Sequence, residues 1–193
     1  MKATIIVLLG LMVSCQQSPT KTLEVVPPAP APIVKESNDT VQIEGAVRNF
    51  LHWYKTNYKE VNKVTFVDKN KRGDYKVNLD ECKKFLNQLS SSGFISNVYV
   101  TEWNKYFESK AKYFSANPIN EGPPEGFDYD LVLLTQEPEI VLEVIDTLKM
   151  NISDIKDGKA MAKVYSANVG YEFEMGKEDG KWKIDYIATM NYD

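Results

Sequence analysis

Two periodicities divide the chain. Ile43, Val47, Phe50, Leu51, Tyr54, Tyr58 and Val61 recur at steps of four, three and one, which places them on one face of a helix. Asp39 with Gln42 three positions later forms an N-terminal capping pair for it. Trp53 sits at the edge of the stripe, while His52 lies opposite, with Arg48, Lys55 and Lys59 on a face for water. Asn78 and Glu81 open a second helix with Leu79, Cys82, Leu86 and Leu89 inward, closed by Gly93. Ser96 caps a third, which carries Tyr99, Trp103, Tyr106, Phe107, Ala111 and Phe114 on one side. The polar run 68–74 reads as a turn or exposed loop, and the stretch 117–126, with Pro123-Pro124, ends the third helix. Residues 127–136 are compact and apolar behind Asp128 and Asp130; periodicity leaves a short helix and a buried strand both open.

From Ile140 onward the period becomes two. Residues 141–150, 160–167, 169–175 and 182–190 read as strands. Tyr171, Phe173 and Met175 alternate with Glu172 and Glu174, which face water; Trp182, Ile184, Tyr186 and Ala188 alternate with Lys183 and Asp185. Asp179-Gly180 is a two-residue hairpin signal. Helices first and strands afterwards predict an α+β domain, with the helices packed on one face of an antiparallel sheet of about four strands.

Ahead of the first helix the pattern is different again. Lys2 precedes an apolar run over residues 3–13, too short for a membrane core of about 30 Å and fit for a cleavable signal. Met12-Val13-Ser14-Cys15 resembles the lipobox of bacterial lipoproteins, with Met12 where that motif prefers Leu. The resemblance implies a lipid on Cys15, which becomes the mature N-terminus and holds the chain to a membrane. Gln16, in place of the aspartate tied to inner-membrane retention in some bacteria, favours the outer membrane. Residues 15–40 then form a linker holding five of the nine prolines, an extended polyproline spacer. The expected organisation is a signal over 1–14, this linker, and one domain over 41–193.

Composition narrows the chemistry. The chain has 193 residues, 43% of them apolar, enough for one packed domain. Its formal charge is −4, from 23 basic and 27 acidic residues, which argues against a nucleic-acid partner. With Cys15 lipidated, Cys82 is left without a partner for a disulfide; on an inner helical face it is a small unreactive hydrophobe. His52 is the sole histidine, so no Cys/His metal spacing exists, and no cofactor motif is present.

The last strand, Gly180-Lys181-Trp182-Lys183-Ile184-Asp185-Tyr186-Ile187, together with the element order, looks like the nuclear-transport-factor-2-like (cystatin-like) superfamily. Phe50 to Tyr54, Phe127-Asp128-Tyr129-Asp130 and Thr135-Gln136 resemble bacterial lipoproteins of the family called domain of unknown function 3828. The resemblance spans residues 41–187. It implies a curved sheet wrapped around helices as a cone with an apolar pocket, and it carries no activity.

Three function classes follow. The first is a non-enzymatic, membrane-tethered module that binds a small apolar ligand or an envelope protein. Its pocket candidates are Trp53, Tyr54, Tyr58, Trp103, Phe107, Tyr171, Phe173, Trp182 and Tyr186, with Trp53 and Trp103 at the rim; core filling is the competing role for most of them. The second is an isomerase- or dehydratase-like enzyme using Asp128 or Asp130 as a buried carboxylate of raised pKa, against the simpler role of capping a turn. No Ser/His/Asp or Cys/His set accompanies them, so no catalytic residue is assigned. The third is an inhibitor or immunity-type lipoprotein with an exposed docking patch.

Overall fold

The computed structural model describes residues 38–166 and 170–190. Cys15, the leader, most of the proline-rich stretch and the strand ends at Ala167 and Val169 lie outside the described residues. Helix α1 (Asn38–Val61) leads into a small hairpin, β1 (Val67–Lys69) and β2 (Tyr75–Val77). Helices α2 (Leu79–Ser91) and α3 (Asn97–Ala116) follow, then a short helix α4 (Glu139–Leu142) and a 3-10 turn (Ile145–Thr147). Strands β3 (Lys149–Lys156), β4 (Lys159–Tyr165), β5 (Gly170–Glu178) and β6 (Lys181–Met190) form an antiparallel meander in that order. The fold is α+β, helices first and a four-stranded antiparallel sheet after them.

The α1 stripe is buried as its spacing dictates: Ile43, Val47, Phe50, Leu51 and Tyr54 are fully enclosed. They meet a sheet face made by Ala162 and Val164 of β4, Tyr171, Phe173 and Met175 of β5, and Trp182, Ile184 and Ile187 of β6. Within the same core, aromatic rings of α2, α3 and the segments before β1 and around residue 127 gather on Phe107, whose ring lies 5.4 to 6.4 Å from those of Trp103, Phe66, Phe85 and Phe127. Ring pairs at such distances add to the burial of their apolar area.

Two of the three predicted N-terminal caps form. Asn78 Oδ1 accepts from the Glu81 N–H at 3.1 Å, and Ser96 Oγ from the Tyr99 N–H at 3.2 Å. Asp179-Gly180 turns with both residues at positive φ (53° and 75°), the backbone of a tight hairpin turn between β5 and β6.

Five features depart from the sequence reading. Asp39 is inside the first turn of α1; its Oδ1 accepts from Trp182 Nε1 and from Lys177 Nζ, both at 2.9 Å, which fastens the helix to the β5–β6 hairpin. Residues 38–40, assigned to the linker, are therefore helical. The 68–74 run does form a turn, Asn70 Oδ1 gathering the N–H groups of Arg72 and Asp74, and its ends Asp68, Lys69 and Asp74 lie in or beside the paired strands β1 and β2. Leu79 is exposed at the start of α2; Cys82, Phe85, Leu86 and Leu89 supply the i, i+3, i+4, i+7 face in its stead. The expected strand over 141–150 is α4 and the 3-10 turn instead, and β3 starts only at Lys149. Val141, Leu142, Ile145 and Leu148 are buried at helical spacing. Arg48, expected on a solvated face, caps that region by donating to the carbonyls of Ile145 and Leu148 (2.5 and 2.8 Å) while paired with Glu44. The fifth departure lies in β6 and shapes the site described below.

Within this frame Asp39 makes a pH-dependent contribution. Its hydrogen bonds to Lys177 and Trp182 hold the carboxyl below the ordinary aspartate value of 3.8. A depressed folded-state pKa gives stability that is present above the unfolded value and lost as pH falls through the folded one. Thermal unfolding should therefore show Asp39→Asn less stable than wild type at neutral pH, with the gap closing on acidification below the usual carboxylate range. A gap that persists unchanged in strong acid contradicts the clamp.

Candidate functional site

The segment 127–136 is neither helix nor strand. Asp130 and Thr135 form an isolated antiparallel bridge, with the Asp130 N–H donating to the Thr135 carbonyl at 2.8 Å. The Asp130 carboxylate sits inside this loop. Its Oδ1 accepts from the N–H groups of Val132 (3.0 Å) and Leu133 (2.7 Å), and its Oδ2 from the Tyr54 hydroxyl (2.5 Å). Asn62 Nδ2 donates in turn to the Tyr54 oxygen at 2.8 Å. Burial pushes the Asp130 carboxyl above its ordinary range, opposed by those three donors; burial followed by the Asp130 charge pushes the Tyr54 hydroxyl far up. Leu131, Val132 and Leu133 are buried as the loop closes, so one aspartate pins an apolar turn to α1.

Asp128, two residues away, is exposed. The two aspartates are thus not a pair facing one cavity. Both oxygens of Asp130 are occupied by donors of the protein itself, an arrangement suited to holding a fold together. Tyr171 packs nearby with a buried hydroxyl that has no hydrogen-bond partner, its pKa raised to about 12 by burial and then by Asp130.

The pocket expected between helices and sheet is filled. Tyr54, Phe107, Tyr171, Phe173 and Trp182 are core residues, each 5% exposed or less. Trp53 and Tyr58 are half-buried on α1, stacked on Phe50 and set edge-on to Tyr54 respectively. Of the sequence candidates, Trp103 and Tyr186 border a concavity of another kind, a groove of about 300 Å³ between α3 and β6. Tyr99, Glu102, Trp103 and Tyr106 form its α3 wall; Tyr129 and Leu134 close one end; Asp185, Tyr186 and Ile187 make the opposite side. Wider hollows elsewhere, such as that beside Lys55, Tyr58 and Glu139, are more open.

The groove exists because β6 breaks its own alternation. The β5–β6 register runs Met175 opposite Ile184 and Glu174 opposite Tyr186, so Asp185 is an extra residue in a bulge. Past it the phase inverts: Ile187 turns into the core, and Tyr186, expected inward, is 46% exposed. Asp185, expected to face water, is 5% exposed and bonds Lys159 Nζ at 2.7 Å. Gly176 makes room for it, since a Cβ there falls 2.3 Å from Asp185 Oδ2. On the outer edge of β6, the Ile184 N–H donates to the Phe94 carbonyl (2.8 Å) and its carbonyl accepts from the Ser96 N–H (3.0 Å). That anchor aligns the first turns of α3 with Asp185 to Ile187.

Sequence reasoning missed Asp185, Tyr106 and Tyr129 as wall residues. A signal for the bulge was present: Tyr186-Ile187-Ala188 follows Asp185 with an apolar residue, Ile187, where the alternation calls for a polar one. Among the described residues, no group of three or more His, Cys, Asp or Glu side chains is placed to hold a metal ion. Comparison with protein-family models, curated proteins and solved structures returns no match to this chain.

Cutting the Asp130 cluster tests its structural role. Tyr54→Phe and Asp130→Asn should each cost about 1.5–3 kcal/mol in urea unfolding, the usual worth of a hydrogen bond to a charged group. The double variant should lose less than the sum by about 1 kcal/mol, since both remove one interaction. Strict additivity argues against coupling through Tyr54.

Proposed function

We propose that this chain is an envelope lipoprotein, held to the membrane by a lipid on Cys15, whose folded domain binds a small ligand without catalysing a reaction. The leader, the lipobox-like residues and the proline-rich spacer support the tether. No helix among the described residues is long and apolar enough to cross a membrane. Three helices followed by a four-stranded antiparallel meander support the likeness to a nuclear-transport-factor-2-like cone.

The observation that carries the binding reading is the α3–β6 groove. A domain whose interior is full nonetheless leaves Trp103, Tyr106 and Tyr129 half-buried and Tyr186 exposed around one concavity. Its volume is at the small end of ligand sites, and its walls combine rings with a few polar tips, as such sites do. The enzyme reading is weaker on the same geometry, because Asp130 is saturated by internal donors and Asp128 lies on an exposed loop. Outside the groove, the exposed large apolar side chains Val41, Leu79, Val98, Tyr113, Val144 and Ile155 are scattered over α1, α2, the two ends of α3, the turn after α4 and β3, so among the described residues no specific surface favours an inhibitor role.

Fluorotryptophan labelling tests the site. The chain has three tryptophans, at positions 53, 103 and 182, assignable by Trp→Phe variants. In a fluorine NMR screen against a library of small organic molecules, binders should shift Trp103 and leave the buried Trp182 in place. Binders that move only Trp53, or a broad library that moves none of the three, refute the groove as the site. Cys15→Ala should separately move the protein from the membrane fraction to the soluble one.

A further inference from the structure

We infer that the α3–β6 groove recognises an organic cation, a quaternary or fully alkylated ammonium group, seated between the rings of Trp103, Tyr106, Tyr129 and Tyr186. The inference rests on the groove being the binding site proposed above and adds the chemical class of what enters it.

The first argument is the composition of the walls. Five aromatic residues line one concavity, Tyr99 and the four named above, and its two charged residues, Glu102 and Asp185, are both acidic. An aromatic face attracts a cation through its quadrupole, most strongly where water is displaced. One of these rings already has a cation near it: the Lys110 ammonium lies 5.9 Å from the Tyr106 ring centroid.

The second argument is what lies behind the walls. Asp130 is buried and satisfied by three donors, none of them a cationic side chain. The two backbone N–H groups and the Tyr54 hydroxyl favour its ionised form against the burial that opposes it, and a charge there acts on Tyr99, a wall residue of the groove. In a low-dielectric interior such a charge reaches further than a surface one. The Tyr99 hydroxyl is itself buried, with no acceptor for its proton. Asp128 and Glu125 add to the negative field at Tyr106. Around the groove, Glu102, Glu125, Asp128, Asp130 and Asp185 outnumber the lysines that pair with them, namely Lys105, Lys110 and Lys159.

The third argument selects the kind of cation. Glu102 and Asp185 already accept from Lys105 and Lys159, each at 2.7 Å. A primary ammonium needs three acceptors of its own and must compete for those oxygens. An alkylated ammonium has no N–H to satisfy, so ring faces and a diffuse negative field suffice.

Choline and its uncharged carbon isostere, with tert-butyl in place of trimethylammonium, make the test. Each is titrated into the full chain labelled with fluorotryptophan. Choline should shift the Trp103 resonance with an affinity at least about fivefold above that of the isostere, the scale of an exposed to partly desolvated cation–π contact. Tyr186→Ala, which removes an exposed ring, should erase most of that preference while leaving the unfolding midpoint near wild type. Glu102→Gln should weaken choline and leave the isostere unchanged. Equal binding of the two probes overturns the cation inference while the groove stands as a site. Failure of choline in a protein whose Trp103 responds to neutral library members has the same meaning. Choline acting on Trp53 and not on Trp103 also overturns it. If neither probe nor library moves Trp103, the groove reading falls with it.

Discussion

Both backbone groups of Ile184 leave the sheet on its outer edge, one to Phe94 and one from Ser96. The rest of the architecture hangs on this short parallel contact. It covers the edge of β6 where an unpaired strand is otherwise open to foreign pairing. Ser96, which closes the contact, is also the residue whose hydroxyl caps α3. Sheet edge, helix start and helix direction are therefore set by residues within one turn of one another. Because the bulge follows immediately at Asp185, the same anchor decides which side chains stand opposite the aromatic face of α3.

A second constraint works from inside. The loop over 127–136 carries three consecutive buried apolar residues but no ladder of its own, so its N–H groups need an acceptor under the surface. Asp130 supplies it, and Tyr54 secures Asp130 from the first helix. Sequence distance makes this link informative: residues 54 and 130 are 76 positions apart, and their bond ties the first helix to the loop that precedes α4. The cost is a buried carboxylate without a cation, whose charge reaches Tyr58, Tyr99 and Tyr171 as well as Tyr54.

Legibility in the sequence followed the range of the interactions concerned. The three long helices, two of their caps and the Asp179-Gly180 turn are written in local spacing, and local spacing was enough. Residues 141–150 were misread because two apolar patterns overlap there: Leu142, Val144, Leu148 and Met150 fall at even spacing, while Val141, Leu142, Ile145 and Leu148 fall at helical spacing. What decides for the helical turns is Arg48, about a hundred positions earlier, holding two of their carbonyls. Aromatic residues such as Tyr54, Tyr171 and Trp182 were legible as inward-facing. Whether they enclosed space or filled it depended on how closely α1 and the sheet approach, which no single element encodes. Tyr186 was assigned to the wrong face because one bulge residue inverts every position after it.

Gly176 and Asp185 also bind two positions of the chain into one mutational unit. Any side chain at 176 collides with the carboxylate at 185, and a residue without that carboxylate leaves Lys159 without its partner and the space over Gly176 empty. Neither position can drift alone at low cost, whereas a joint exchange of bulk from one to the other preserves the volume. Descendants of this sequence are thus confined to a narrow path at the very residues that open the groove. A paired change at 176 and 185 marks a lineage in which the groove has been remodelled and not merely decorated.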